Sequence, residues 1–282
     1  MFRGIVLSAV TLLLASCNEG VLAPRGPIGN AQLVILYNAT AIMLAVVVPV
    51  ILLTIGFAWW FRADNTRARY LPDWEYSGRI EMIVWSIPTL VIVFLGGIAW
   101  IGSHDLDPPR PIESAVAPLD VDVVSLDWKW LFIYPNEGVA SVNRLVVPVG
   151  TPIRFRLTSA SVMNSFFVPQ LGSQIYTMAG MTTRLNLQAD QPGVYGGLSA
   201  QFSGEGFSDM RFDLAAMPAD EFAKWMETTK ARGQTLDAAA YDAVALPRKA
   251  VAPMTFSGVA PRLFETILAV RQSADHPSHP EQ

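Results

Sequence analysis

Apolar positions crowd into three unbroken runs in the first 103 residues and then give way to short alternating stretches. The first run, Gly4 to Ala15, follows Arg3 and is only twelve residues long. A mature helix needs ~20 apolar residues to cross a bilayer, so this run predicts a signal segment over residues 1–16. The second, Leu33 to Phe61, sits in a stretch with no charge between Arg25 and Arg62. It is long enough to span. The third lies between Glu81 and His104, has no Lys, Arg, Asp or Glu from Met82 to Ser103, and predicts a second span over 81–103. Pro49 and Pro88 interrupt the spans, which is tolerated where neighbouring helices satisfy the freed carbonyls. Tyr37, Trp59, Trp60, Phe61 and Trp100 fall near the ends, where amphipathic rings favour the interface.

Beyond His104 the period changes. Residues 104–118 contain Pro108, Pro109 and Pro111 and predict a stiff, extended linker. Short β runs follow at Val121–Leu126, Trp130–Tyr134, Arg144–Val149, Ile153–Thr158, Ser165–Val168, Arg184–Ala189 and Arg211–Leu214. Turn residues separate them, as in Pro135-Asn136-Glu137-Gly138, so an all-β sandwich or barrel is expected over 119–217. From Pro218 the spacing turns helical. Phe222, Trp225 and Met226 fall at i, i+3, i+4, as do Phe264, Ile267 and Leu268, with a weaker helix at Tyr241, Val244 and Ala245. A helical arm is therefore expected over 218–272, with a disordered tail over 273–282.

Composition and charge sharpen this picture. Charged residues make up 16% of the 282, well below the ~25% of an ordinary globular domain, which agrees with membrane segments. A net charge of -4 without a basic stripe excludes nucleic acid as a partner. The single cysteine, Cys17, rules out a disulfide within the chain. It closes Leu14-Ala15-Ser16-Cys17, which resembles the bacterial lipobox, so Cys17 is expected to carry a diacylglycerol and to begin a periplasmic segment over 17–32. One lipid anchors weakly; the two spans complete the attachment to membrane lipid. The loop 62–80 holds Arg62, Arg67, Arg69 and Arg79, which places it in the cytoplasm and both termini outside.

Two membrane helices followed by an external sandwich is the plan of subunit II of the haem–copper oxidases, and the chain resembles that family from the lipobox to about residue 272. Glu81-Met82-Ile83-Val84-Trp85-Ser86-Ile87-Pro88 is similar to its E-x-x-x-W-x-x-P signature, and Asp127 to Pro135 to its aromatic segment. Ser161 to Pro169 resembles the first metal-binding strand, and Tyr195 to Met210 the second. The resemblance implies a mixed membrane protein: a transmembrane α-helical hairpin, an all-β cupredoxin-like sandwich and a short C-terminal helical arm. In the cytochrome c oxidase branch these strands carry a histidine, a Cys-x-x-x-Cys pair, a second histidine and a methionine, which build a dinuclear copper centre. Here Asn164 stands at the first histidine, Leu198 and Phe202 at the cysteines, and Gly206 at or next to the second histidine; only Met210 matches. Copper electron-transfer sites need thiolate and imidazole, and no Cys or His occurs from Asp105 to Asp275. No copper and no other cofactor is expected on this chain.

Copper loss in this frame, with Met163 to Pro169 and Leu171 to Met181, resembles the quinol-oxidising branch of cytochrome o type, and Phe256 to Phe264 resembles its C-terminal arm. The resemblance implies a subunit of a proton-pumping terminal oxidase in the bacterial inner membrane that oxidises ubiquinol and reduces O2 to water. Haem b, haem o, one copper and the quinol site would belong to subunit I, with smaller membrane subunits as further partners. Two other readings stay open: subunit II of a menaquinol (aa-type) oxidase, and a free-standing membrane-anchored periplasmic lipoprotein used for binding.

Glu81 is the one residue with a candidate mechanistic role. The resemblance places it at the mouth of the lysine-lined proton pathway of subunit I; the plainer reading is a solvated carboxylate favoured by a helix start. Trp128 and Trp130 read as sandwich core and subunit contact, because an aromatic relay without copper leads nowhere. His104 reads as an interfacial residue, and His276 and His279 as weak stray-metal ligands of the tail.

Overall fold

The computed structural model describes residues 20–69 and 71–275; the expected signal segment, Cys17, His276 and His279 lie outside the described residues. The described chain divides into two compact units, residues 32–107 and a second made of residues 20–31 with 108–275.

The first unit is a helical pair built from α1 (Pro27–Trp60) and α2 (Gly78–Asp105). At 1.5 Å per residue they are about 51 and about 42 Å long, ample for a hydrocarbon core of ~30 Å. Both are apolar on every side and almost wholly uncovered; Leu52, Ile55, Ile92 and Phe94 each expose more than half their surface. Helices of that kind belong in lipid or against protein partners, not in water. Gly102 permits close approach within the pair, since a Cβ there would lie 2.7 Å from Ile35 Cδ1. Pro49 and Pro88 both sit inside helix, as expected for spans. α1 starts six residues before the expected span because Pro27 suits a first helical position, where no N–H is needed.

The second unit is a sandwich with an arm. Its strands are β1 (Leu119–Leu126), β2 (Lys129–Tyr134), β3 (Val139–Val142), β4 (Arg144–Pro148), β5 (Ile153–Ser159) and β6 (Asn164–Phe167). They continue with β7 (Ile175–Thr177), β8 (Thr183–Leu187), β9 (Gly193–Ser199), β10 (Arg211–Met217), β11 (Gln234–Leu236) and β12 (Met254–Val259). A seven-stranded sheet in the order β11-β12-β3-β2-β1-β5-β8 packs on a five-stranded sheet in the order β4-β10-β9-β6-β7. β2 reads as a nearly continuous apolar run because both its faces are buried, whereas β1 carries Asp120 and Asp122 among its apolar positions. Val121, Val123, Trp130, Phe132 and Tyr134 point between the sheets, while Val124, Leu126, Leu131 and Ile133 lie in a second cluster under the arm. Trp130, Phe166 and Phe212 form the centre of the inner core, with ring centroids 5.0 to 5.7 Å apart.

The arm contains the three expected helices, α3 (Ala219–Ala231), α4 (Ala238–Ala245) and α5 (Leu263–Asp275). Two short strands accompany the helices. β11 and β12 lie between the helices and extend the larger sheet, with Met254 opposite Val142 and Phe256 opposite Ala140. Without them β3 would present a bare edge. Two polar residues tie the arm down. Asn143 accepts from the Trp130 amide at 2.9 Å and donates to the Val251 carbonyl at 2.8 Å. The buried Lys129 ammonium donates to the Leu246 carbonyl at 2.8 Å, at the negative end of α4. Burial lowers the proton affinity of that lysine.

Residues 20–31, which include the first turn of α1, also belong to the sandwich unit. The Arg25 amide donates to the Gln170 carbonyl at 2.7 Å and the Gly29 amide to the Leu171 carbonyl at 2.9 Å. A Cβ at Gly26 would lie 2.0 Å from the Gln188 oxygen, so only glycine fits there.

Candidate functional site

β6 and β9 are neighbours in the smaller sheet, with Phe166 opposite Ser199 and Phe167 opposite Leu198. That register brings the start of β6 to the end of β9. Asn164, 1% exposed, accepts from Ser199 Oγ at 3.0 Å and donates to the Val162 carbonyl at 3.1 Å. Both ends of its carboxamide are thus used inside the protein. The Ser199 amide in turn donates to the Met210 carbonyl at 3.1 Å, which closes the loop 200–210 at its base.

Trp128 roofs this loop from the turn between β1 and β2. Its backbone is left-handed, with φ 62°, and its Nε1 donates to the Ser203 carbonyl at 3.0 Å. The indole lies directly on Gly206, where a Cβ would sit 2.3 Å from Trp128 Cδ2. On the rim, Lys249 lies 5.8 Å from the Trp128 ring centroid and 2.9 Å from Glu205; the hydrogen bond from Lys249 holds the Glu205 carboxyl below its usual range.

Of the residues read from the motifs, Asn164 and Met210 are both tied to Ser199, whereas Leu198, one residue earlier in β9, faces the other side of the sheet. Gly206 lies under Trp128, and Phe202 turns outward, 72% exposed, with its ring 5.6 Å from that of Phe207. Met210 is buried core, and Ser203 Oγ donates to its sulfur at 3.8 Å. Sequence reasoning missed the hydroxyl groups beside them. Ser125 and Thr177 share a buried 2.8 Å hydrogen bond, and Thr177 Oγ1 lies 3.4 Å from the Asn164 carbonyl. The available signal was Ser125 at an inward position of β1, in phase with Val121 and Val123. An amide, an aliphatic chain, an outward phenyl ring, a glycine and one thioether do not fit a copper centre, which takes thiolate and imidazole donors.

A second candidate lies in the helical unit. Glu81 occupies the first turn of α2, where a carboxylate is favoured by the helix dipole, and Trp85 Nε1 donates to its Oε2 at 3.1 Å. At the other end of α2, His104 Nδ1 lies 2.8 Å from the Trp100 carbonyl, and the two rings are 4.4 Å apart. Trp130 is wholly buried and unavailable to any partner, whereas Trp128 is partly exposed at the loop.

Comparison with known proteins decides between the readings. Residues 121–217 match the family model for the periplasmic domain of cytochrome c oxidase subunit II, and residues 230–269 match the COX aromatic rich motif. Cytochrome bo(3) ubiquinol oxidase subunit 2 of Pseudomonas aeruginosa is 49% identical over 92% of this chain and 78% of its own length. The chain belongs to the family of cytochrome bo(3) ubiquinol oxidase subunit II. Ubiquinol oxidase subunit 2 of Acetobacter aceti is 50% identical over 92% of this chain and 84% of its own length. Among solved structures, the periplasmic domain of subunit II of cytochrome oxidase from Bradyrhizobium japonicum is 25% identical, with a TM-score of 0.39 over 42% of this chain and 96% of that one. As a member of the ubiquinol oxidase subunit II family, the chain is part of an oxidoreductase complex and implies a partner subunit I.

Proposed function

We propose that this chain is a subunit without a redox centre of its own, seated against a haem-bearing subunit I that oxidises ubiquinol and reduces O2 to water. Haem b, haem o and a single copper reside in that partner under this reading, and smaller membrane subunits complete the complex. Asn164 carries the proposal. At the position of a copper-ligating histidine it is buried and consumed at both ends by Ser199 and Val162, inside a sandwich frame that is otherwise retained. A quinol dissolves in the membrane and can deliver electrons to the haem subunit directly. The external relay is then dispensable, while the sandwich persists as a docking and stabilising element. The uncovered apolar flanks of α1 and α2 support a membrane-embedded partner.

The same reading puts a lipid on Cys17, the loop 62–80 in the cytoplasm and the sandwich in the periplasm. It gives Glu81 the mouth of a proton pathway. The test is to tag the C-terminus, purify from solubilised membranes, record the reduced-minus-oxidised haem spectrum and assay ubiquinol and cytochrome c oxidation. A co-purifying haem protein that oxidises ubiquinol but not cytochrome c is expected. A chain that purifies alone without haem overturns the proposal, as does a complex driven by cytochrome c.

A further inference from the structure

We propose that the outer face of the larger sheet carries a site for a phosphate oxyanion, the phosphodiester of a phospholipid headgroup, centred on Arg184. The inference rests on α1 and α2 crossing a membrane and not on the oxidase reading. Arg154 and Arg156 of β5 and Arg184 and Asn186 of β8 share one face of the sheet, and the antiparallel register sets Arg156 opposite Arg184. Like charges directly opposite on neighbouring strands repel. The first two arginines are compensated. Arg154 is held by Asp120 at 2.5 and 2.9 Å. Arg156 is held by Asp122 at 2.6 and 2.7 Å and touches Glu265 at 3.3 Å.

The carboxylates stop one strand short. Among the described residues no carboxylate pairs with Arg184, which lies exposed on the edge strand β8. Arg184 and Arg156 line an open cavity of about 580 Å³ together with Arg154, its partner Asp120, Asn136, Asn186 and the linker prolines Pro109, Pro111 and Pro118. Proline rings offer no N–H groups, Asp120 is already engaged by Arg154 and Asn186 by Pro108, so recognition of an anion in this cavity falls chiefly to Arg184, whose planar fork matches phosphate oxygens. The apolar rings suit the glycerol portion of a lipid better than a fully hydrated ion.

The covalent chain places the site near a membrane surface. The Asn186 amide and its Nδ2 donate to the Pro108 carbonyl at 2.9 and 3.3 Å. Leu106 and Asp107 alone separate Pro108 from the end of α2 at Asp105, a reach of at most about 11 Å. Asn186, two residues from Arg184 on the same face, is thus tied to chain that has just left the second span.

The test uses the full chain in nonionic detergent, titrated with water-soluble dihexanoyl phosphatidylglycerol and, in a separate arm, with inorganic phosphate. Phosphorus NMR line-broadening reads binding. Saturable binding of the lipid is expected, weakened at least tenfold by Arg184→Gln and unchanged by Arg211→Gln on the other sheet, with equimolar inorganic phosphate failing to displace it. Inorganic phosphate that binds as tightly and displaces the lipid would assign the site to the free ion and overturn the headgroup. Absence of saturable binding, wild-type binding by Arg184→Gln, or equal loss in both variants overturns the site itself.

Discussion

Asn164 and Ser199, 35 residues apart in sequence, are joined side chain to side chain by a 3.0 Å hydrogen bond at the base of the loop 200–210. Both are buried, and Ser199 Oγ also lies 3.2 Å from the Gln201 carbonyl, so the pair fixes where β6 begins and where the loop departs from β9. In a low-dielectric interior such a bond matters chiefly through what its loss leaves unsatisfied.

Replacing Asn164 by Ala removes two hydrogen bonds at once from a buried site, although Ser199 Oγ keeps the Gln201 carbonyl and the Val162 carbonyl keeps Ser159 Oγ. A loss of about 1–3 kcal/mol in the stability of the sandwich is expected. Chemical denaturation of the full chain in detergent, followed by tryptophan fluorescence, measures it. A midpoint equal to that of the unchanged chain would show that the pair is incidental.

Gly206 and Trp128 make a second, separable prediction. Because a Cβ at 206 would overlap the indole, Gly206→Ala must displace Trp128 and is expected to cost about 1–3 kcal/mol. The tryptophan emission should shift as Trp128 leaves its site. Removing the obstacle should undo part of the damage, so Gly206→Ala combined with Trp128→Ala is expected to be more stable than the sum of the single losses predicts. Strict additivity would contradict the contact. The overlap also bears on function, since a histidine built at 206 alone meets the indole before it meets any metal.

How much of this was legible in the sequence depends on whether local pattern or tertiary contact sets the element. α1 and α2 were legible because uncharged apolar runs of that length have few other uses. β2 announces itself as an apolar run between turn residues, and β1 and β5 by the alternation of charged and apolar positions. β9 does not, because Gly193, Gly196 and Gly197 depress its strand signal. Gly197 is nevertheless required, since the Phe212 ring lies 2.1 Å from where its Cβ would be. β12 sits between Pro253 and Pro261 inside an arm with helical spacing, and only the open edge of β3 makes it a strand. The site divides the same way. Motif spacing led to Asn164, Leu198, Phe202 and Gly206, whereas the Ser199 bond and the Trp128 roof depend on chain segments 35 and 78 residues away that no local window relates.

Acid should weaken the sandwich in part through Asp120. Its hydrogen bond from Arg154 holds the carboxyl below its usual range, with burial working the other way. The folded carboxyl therefore binds a proton less readily than the unfolded one, whose value is ~3.9. Its contribution is complete above that value and is lost as pH falls through the depressed folded one. Asp122 has the opposite sign, because burial raises its carboxyl despite Arg156, so its contribution declines as pH rises through the folded value. Arg154 is more than half exposed, which limits the Asp120 pair to about 0.2–1 kcal/mol. Asp120→Asn is expected to be slightly less stable at pH 6 and to lose less on going to pH ~3. Parallel stability curves for the two proteins would remove Asp120 from the account.

Glu81 and Trp85 offer the test closest to turnover. One helical turn apart at the start of α2, they are joined through Trp85 Nε1 and Glu81 Oε2 at 3.1 Å. If the carboxylate collects protons for the oxidase, Glu81→Ala should lower ubiquinol turnover on the order of tenfold, about 1.4 kcal/mol on the barrier, with haem content and KM unchanged. Glu81→Asp keeps the proton-exchanging group and should retain part of the rate. Trp85→Phe keeps the carboxylate but frees it, so a smaller loss of turnover than in Glu81→Ala is expected. The opposite outcome is equally plain. Unchanged turnover and proton pumping in Glu81→Ala would leave a solvated carboxylate at a helix start, held there by the dipole and by Trp85 and by nothing else.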